Sequence, residues 1–224
     1  MTLQTIFDKV RRITNTSTAS LPDTRLLSLS NEAFLYIQRE LAQNEIESFG
    51  AVAKTDISSG KENYQLPDDL LTILRIEINY DDVNDESKWV KMTATDLGNL
   101  PIEWYKLIKS QPKSKPLFDL FSNNIWTFPE PDANRTLGLR LWYIAKQPDF
   151  TSASDELHPV LANYWDILAE GTAWLYYEEI GHPSSQRRFD IFHAKLQKMV
   201  SDLKIEVIES TKMGYIDYFN SGWI

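Results

Sequence analysis

The hydrophobic period of this chain changes twice, and that change limits the folds open to it. Apolar residues recur at helical spacing near both ends and in short alternating runs in the middle. Leu3, Ile6, Phe7, Val10 and Ile13 step by three and four, so residues 2–14 read as a short amphipathic helix. Residues 15–20 are rich in Ser and Thr and read as a loop. Pro22 suits the first turn of a second helix, with Asp23 favourable to its dipole. Leu27, Phe34, Ile37 and Leu41 mark the buried face of that helix, broadened by Leu26, Ala33 and Tyr36, and it should end near Gln43.

From Phe49 the segments FGAVAKTDI, ENYQLP, LTILRIEINY and KWVKMT are short and rich in β-branched and aromatic residues, as strands are. Ser58-Ser59-Gly60-Lys61 is a turn signal, and Asp81 to Glu86 read as a solvated acidic loop. Residues 94–115 are irregular, with a short helix expected near Ala94–Leu100. Three more strands follow, PLFDLF, NIWTFPEP and LGLRLWYIA, joined by Ser122-Asn123-Asn124 and by Pro131-Asp132-Ala133-Asn134. Alternation places Leu137, Leu139, Leu141 and Tyr143 on one face.

Helical spacing returns at Glu156. Leu157, Val160, Leu161, Tyr164, Leu168, Thr172 and Leu175 form one stripe, and Gly171 within it implies close approach of a neighbouring helix. Gly181-His182-Pro183 is a stop signal. In the last helix Phe189, Phe192, Leu196, Met199, Leu203 and Val207 make a narrow seam. The expected fold is therefore α+β. Residues 1–44 and 156–210 form a helical bundle around one core of Phe34, Ile37, Leu161, Tyr164, Leu168, Leu175, Phe192, Leu196 and Leu203. Residues 45–155 are an inserted antiparallel β region, and 211–224 form an extended tail.

That tail, TKMGYIDYFNSGWI, has four aromatics in 14 residues against 12% aromatic content overall. Tyr215, Ile216, Tyr218, Phe219, Trp223 and Ile224 would each leave large apolar surface in water, worth about 1.5–3 kcal/mol per fully buried side chain. Docking on a partner and folding back on its own domain are both open on this ground alone.

Composition narrows function further. There is no cysteine, which removes disulfides, thiolate metal sites and cysteine nucleophiles and fits synthesis in a reducing cytoplasm. The net charge of −9 argues against an attractive grip on nucleic-acid phosphates. No apolar run has the length of a membrane span. No phosphate-binding glycine loop, zinc-protease motif, nucleophile elbow or calcium-loop pattern occurs. His158, His182 and His193 lack partners at metal-ligand spacing, so no metal, cofactor or catalytic residue is expected. Glu178-Glu179, the acids of 81–86 and the tryptophans 89, 104, 126, 142, 165, 174 and 223 leave one alternative, a carbohydrate-binding or carbohydrate-active protein. Arg187, Arg188, Lys195, Lys198 and Lys204 give the last helix a basic side, for which intrahelical ion pairs are the simplest account.

Three segments together resemble a known family. YQLPDDLLTILRI (64–76), NIWTFPEPDANRTLGLRLWYIAKQPDF (124–150) and the helix pair at 156–204 are similar, in this order, to phage head-to-tail adaptor (connector) proteins of the short-tailed-phage type. The resemblance implies a non-enzymatic virion protein of the neck, made in the host cytoplasm. It further implies a ring of about twelve copies between portal and a tail or nozzle protein. Double-stranded DNA would pass through the ring without specific binding, during genome retention and ejection. It also implies that the C-terminal segment embraces the portal or a neighbouring subunit, which supplies a partner for the tail.

Overall fold

The computed structural model describes residues 1–96 and 109–220, with side chains to Lys204 apart from Ser48. The chain divides into two compact units, one of residues 1–48 and 147–224, the other of 49–146. The first is helical, and the described part of the second is mainly β.

The helical unit contains α1 (Leu3–Thr14), α2 (Asp23–Gln43), α3 (Pro159–Asn163), α4 (Trp165–Glu179) and α5 (Ser185–Asn220). Pro22 sits at the N-cap of α2 rather than in its first turn. The two sequence ends of the unit are stitched together at the start of α1. Leu3 N–H donates to the Asp155 carbonyl at 2.9 Å and Gln4 N–H to the Ala153 carbonyl at 2.7 Å, so a turn from far along the chain satisfies groups that a helix N-terminus leaves open. The Asp155 carboxylate holds that turn, accepting from Thr151 N–H at 2.6 Å, Ser152 N–H at 3.1 Å and the Ser152 hydroxyl at 2.7 Å. At the other end of α1, the buried Arg11 donates to the Leu21 carbonyl at 3.0 Å and pairs with Asp23, tying α1 to the start of α2.

The stripe beginning at Glu156 is not one helix. Glu156 is extended and bridges Thr2, and helix begins only at Pro159, with His158 as N-cap. The path breaks again at Tyr164, which ends α3 and caps α4. Because the apolar residues on both sides keep helical spacing, the break leaves no mark on the pattern. It does turn Tyr164 partly out of the core, and Leu175 is also only half-buried. The other seven expected core residues are buried.

Gly171 stands where the spacing predicts a close approach. A Cβ there would lie 2.9 and 3.1 Å from the Phe192 ring of α5 and 3.2 Å from Ala33 Cβ of α2. Next to it the Thr172 hydroxyl donates to the Leu168 carbonyl at 2.8 Å and lies 3.2 Å from the Ser30 hydroxyl, so the buried polar pair is satisfied. Gly181, at φ +63°, closes α4. Gly181 N–H donates to the Glu178 carbonyl at 3.1 Å and His182 N–H to the Tyr177 carbonyl at 2.8 Å, the two bonds of a Schellman cap.

The β unit is narrower than the 45–155 expected for the insertion, because Ile46, Gln147 and Phe150 belong with the helices. Two α2 side chains hold the returning chain by its backbone. Asn31 accepts from Phe150 N–H at 2.7 Å and donates to its carbonyl at 2.9 Å, and Gln38 accepts from Gln147 N–H at 2.6 Å.

Within the β unit, β1 (Gly50–Ile57), β3 (Leu70–Ile78), β4 (Val90–Lys91) and β8 (Arg135–Ala145) form one sheet in the order β1-β8-β3-β4. β2 (Asn63–Gln65), β5 (Thr93–Ala94), β6 (Leu117–Phe121) and β7 (Asn124–Phe128) form the other, in the order β2-β7-β6-β5. KWVKMT is thus two strands in different sheets, with the buried Met92 between them. Ala94 is strand and Thr95 and Asp96 are not helical, and the remainder of the helix expected there, 97–100, lies outside the described residues. The core between the sheets contains Ile57, Tyr64, Ile76, Ile78, Tyr80, Met92, Ile125, Leu139, Leu141 and Tyr143. Burial pushes the Tyr80 phenol up, and its hydroxyl donates to the Pro129 carbonyl at 3.0 Å. Leu137 departs from the expected face. It has φ +54° and is exposed, where the β1–β8 register shifts between Thr55 and Ile57. Gly138 beside it allows the approach, since a Cβ there would stand 2.7 Å from Ile57 Cγ1.

Holding Asp155 at a pKa of about 2, chiefly through the Ser152 hydroxyl and the Thr151 and Ser152 amides, makes the 151–155 turn acid-sensitive. The folded pKa lies below the ordinary value, so the contribution is complete above about pH 4 and is lost as the pH falls toward 2. Asp155→Asn should lower the melting temperature at neutral pH and flatten its decline over that acid range. Parallel curves for variant and parent would sink this account of the turn.

Candidate interaction surfaces

Among the described residues no cluster of His, Asp and Glu could hold a metal ion. The histidines serve the backbone or stack on rings. His158 Nδ1 accepts from Val160 N–H at 3.3 Å, and burial lowers its pKa, favouring the neutral form that can accept. His182 Nδ1 accepts from Ser184 N–H at 3.1 Å while its ring stacks on Tyr177 at 4.3 Å. His193 is exposed beside Phe189.

The tryptophans whose rings are placed are largely taken up by neighbours. Arg140 is buried under Trp89, its guanidinium carbon 4.2 Å from that ring centroid. It donates to Glu77 at 2.7 Å and to both oxygens of Glu86 at 3.1 Å. Trp142 donates to the same Glu77 at 2.9 Å and carries Arg75 over its ring at 4.8 Å. Trp174 stacks on Phe192 at 5.6 Å, with Phe189 and Tyr36 at its edges. Trp104 and Trp223 lie outside the described residues.

The acids separate in the same way. Glu179 pairs with Arg25 of α2 at 3.0 Å. The 81–86 loop is mostly exposed as expected, with its turns made by Asn84 N–H on Asp82 and Ser87 N–H on Asp85. On α5, however, the basic side is neutralised across helices rather than within one. Arg188 reaches the buried Glu170 of α4 at 3.0 Å, and Lys195 reaches Asp166 at 2.7 Å and Glu170 at 3.5 Å. Burial alone would lower the Lys195 pKa, but these two carboxylates outweigh it and raise it. Lys204 donates to Asn44, just past the end of α2, at 2.9 Å. The i,i+4 pattern was visible in the sequence, whereas the facing carboxylates of α4 were not.

The α5 backbone is helical to Asn220, residues 211–220 of the expected tail included. No proline interrupts them, and Gly214 alone costs a helix only about 1 kcal/mol. The side chains of Tyr215, Ile216, Tyr218 and Phe219, and the whole of Trp223 and Ile224, lie outside the described residues. Sequence reasoning missed one surface that is described, the tip of the β6–β7 hairpin. Phe121 is 68% exposed and Leu120 47%, beside a turn in which Ser122 and Asn123 both have positive φ. The cue was present, since two apolar residues run directly into a turn.

These features define a two-unit α+β protein in which the histidines and the buried charged groups described above serve packing, capping and pairing. A family model described as SU10 adaptor protein matches residues 1–214. The chain belongs to that family, and its role is that of a structural phage adaptor in the virion neck, where such a protein meets portal and tail proteins. A comparison with curated proteins returns no match. The match ends at Gly214, so all six expected docking residues lie beyond it.

Proposed function

We propose that this protein assembles into a ring, of twelve copies, between the portal and the tail of a phage particle. The ring extends the DNA channel, supports tail attachment, and takes part in genome retention and ejection without catalysis. The family match over residues 1–214 carries this reading. The charge supports it, because a net −9 per chain, repeated around a ring, repels phosphates and lets DNA slide. Tyr215, Ile216, Tyr218, Phe219, Trp223 and Ile224 then form the docking segment for the portal or a neighbouring subunit.

Mass measurement by light scattering, on the protein alone and mixed with purified portal rings, tests the assembly. The expected result is a complex holding one copy of this protein for each portal subunit. Unchanged masses in the mixture would overturn the proposal.

A further inference from the structure

The β unit carries an open groove of about 520 Å³ beside β3, with Ile73, Leu74, Ile76, Met92, Phe118 and Leu120 along it. Among the described residues the adjacent strand edge is unpaired, because β4 pairs only with Glu77 and Ile78 and none of them bonds the backbone of Leu71–Arg75 on that side. Leu120 continues the apolar wall to the exposed Phe121 at the hairpin tip. An apolar surface continued in this way marks a contact site. Among the described residues its charge has one sign, since Arg75 and Lys91 line the groove and no carboxylate does. Arg75 is already shared with Glu77 at 3.2 Å, whereas Lys91 is exposed and makes no ion pair among the described residues.

A fitting occupant is a helix with apolar anchors and an acid beside them, the helix-in-groove mode of recognition. The chain itself contains such a segment. Ile216, Phe219 and Trp223 are spaced i, i+3, i+7, with Asp217 adjacent, and the backbone is helical to Asn220. α5 has drawn level with the end of α2 at Lys204, and residues 216–223 lie further along the chain. We propose that the groove receives residues 216–223 of a second copy, Asp217 meeting Lys91. The inference rests on the docking role proposed above for the C-terminal segment and names its receptor.

A dye-labelled peptide of residues 211–224, titrated with the full chain and followed by fluorescence anisotropy, tests it. Saturable binding is expected. Lys91→Glu in the protein, or Asp217→Lys in the peptide, should each weaken it about tenfold, and combining the two should restore it. Leu120→Asp, at an exposed position, should weaken binding to both peptides. Binding indifferent to all these changes, or no binding to the chain, overturns the groove assignment. If the peptide still binds portal rings in that case, the docking role stands and only the receptor is wrong. If it binds neither, both fall.

Discussion

Gly171→Leu should destabilise the helical unit by about 3 kcal/mol or more, the upper range for overpacking a core. The position is pinched from two sides. The first added carbon already meets the Phe192 ring at 2.9 Å and Ala33 Cβ at 3.2 Å, and a leucine adds three more carbons with no described space to enter. Relief requires α2 and α5 to move apart, which would loosen Phe34, Ile37 and Leu196, all buried in the same unit. Gly171→Ala is the informative control. It gains about 1 kcal/mol of helix propensity but presses on the Phe192 ring edge and on Ala33 Cβ, so its net effect should be far smaller than that of leucine. Urea unfolding of the three proteins gives the comparison. A leucine variant within 1 kcal/mol of the parent would show that the helices do not approach as described.

Deleting residues 211–224 should abolish stable attachment to the portal while leaving the melting temperature of the free protein unchanged. The α5 seam of Phe192, Leu196, Met199 and Leu203 is buried in the helical unit and ends before those residues begin, so the helical core should not need them. Their apolar side chains would contribute several times about 1.5 kcal/mol on a partner before the ordering cost is subtracted. Around a ring, each attached segment raises the effective concentration of the rest, so attachment should fail sharply rather than gradually. Calorimetry and portal co-sedimentation separate the outcomes. A large drop in melting temperature would assign the segment to its own core, and undiminished portal binding together with undiminished ring assembly would refute docking.

Element type was legible in the sequence wherever local chemistry decides it. The seam of α5, the stop at Gly181-His182-Pro183 and the turn at Ser122-Asn123 depend on residues a few positions apart, and spacing reports them directly. Gly171 was legible for the same reason, since a glycine inside an apolar helix has few uses besides contact.

What tertiary structure decided were pairings between distant residues and breaks that preserve the period. The interruption at Tyr164 keeps helical spacing on both sides. The sheet switch at Met92 occurs inside one β-rich run, and Leu137 leaves its face because Gly138 presses against Ile57, far away in sequence. The edge of the β unit was set by Asn31 and Gln38, two polar residues of a helix whose partners lie more than a hundred positions along the chain. Lys195 looked like part of an intrahelical ladder until α4 brought Asp166 and Glu170 to it. The physical reason is the same throughout. Periodicity records which face of an element is apolar, while the identity of what covers that face is fixed only when the elements meet.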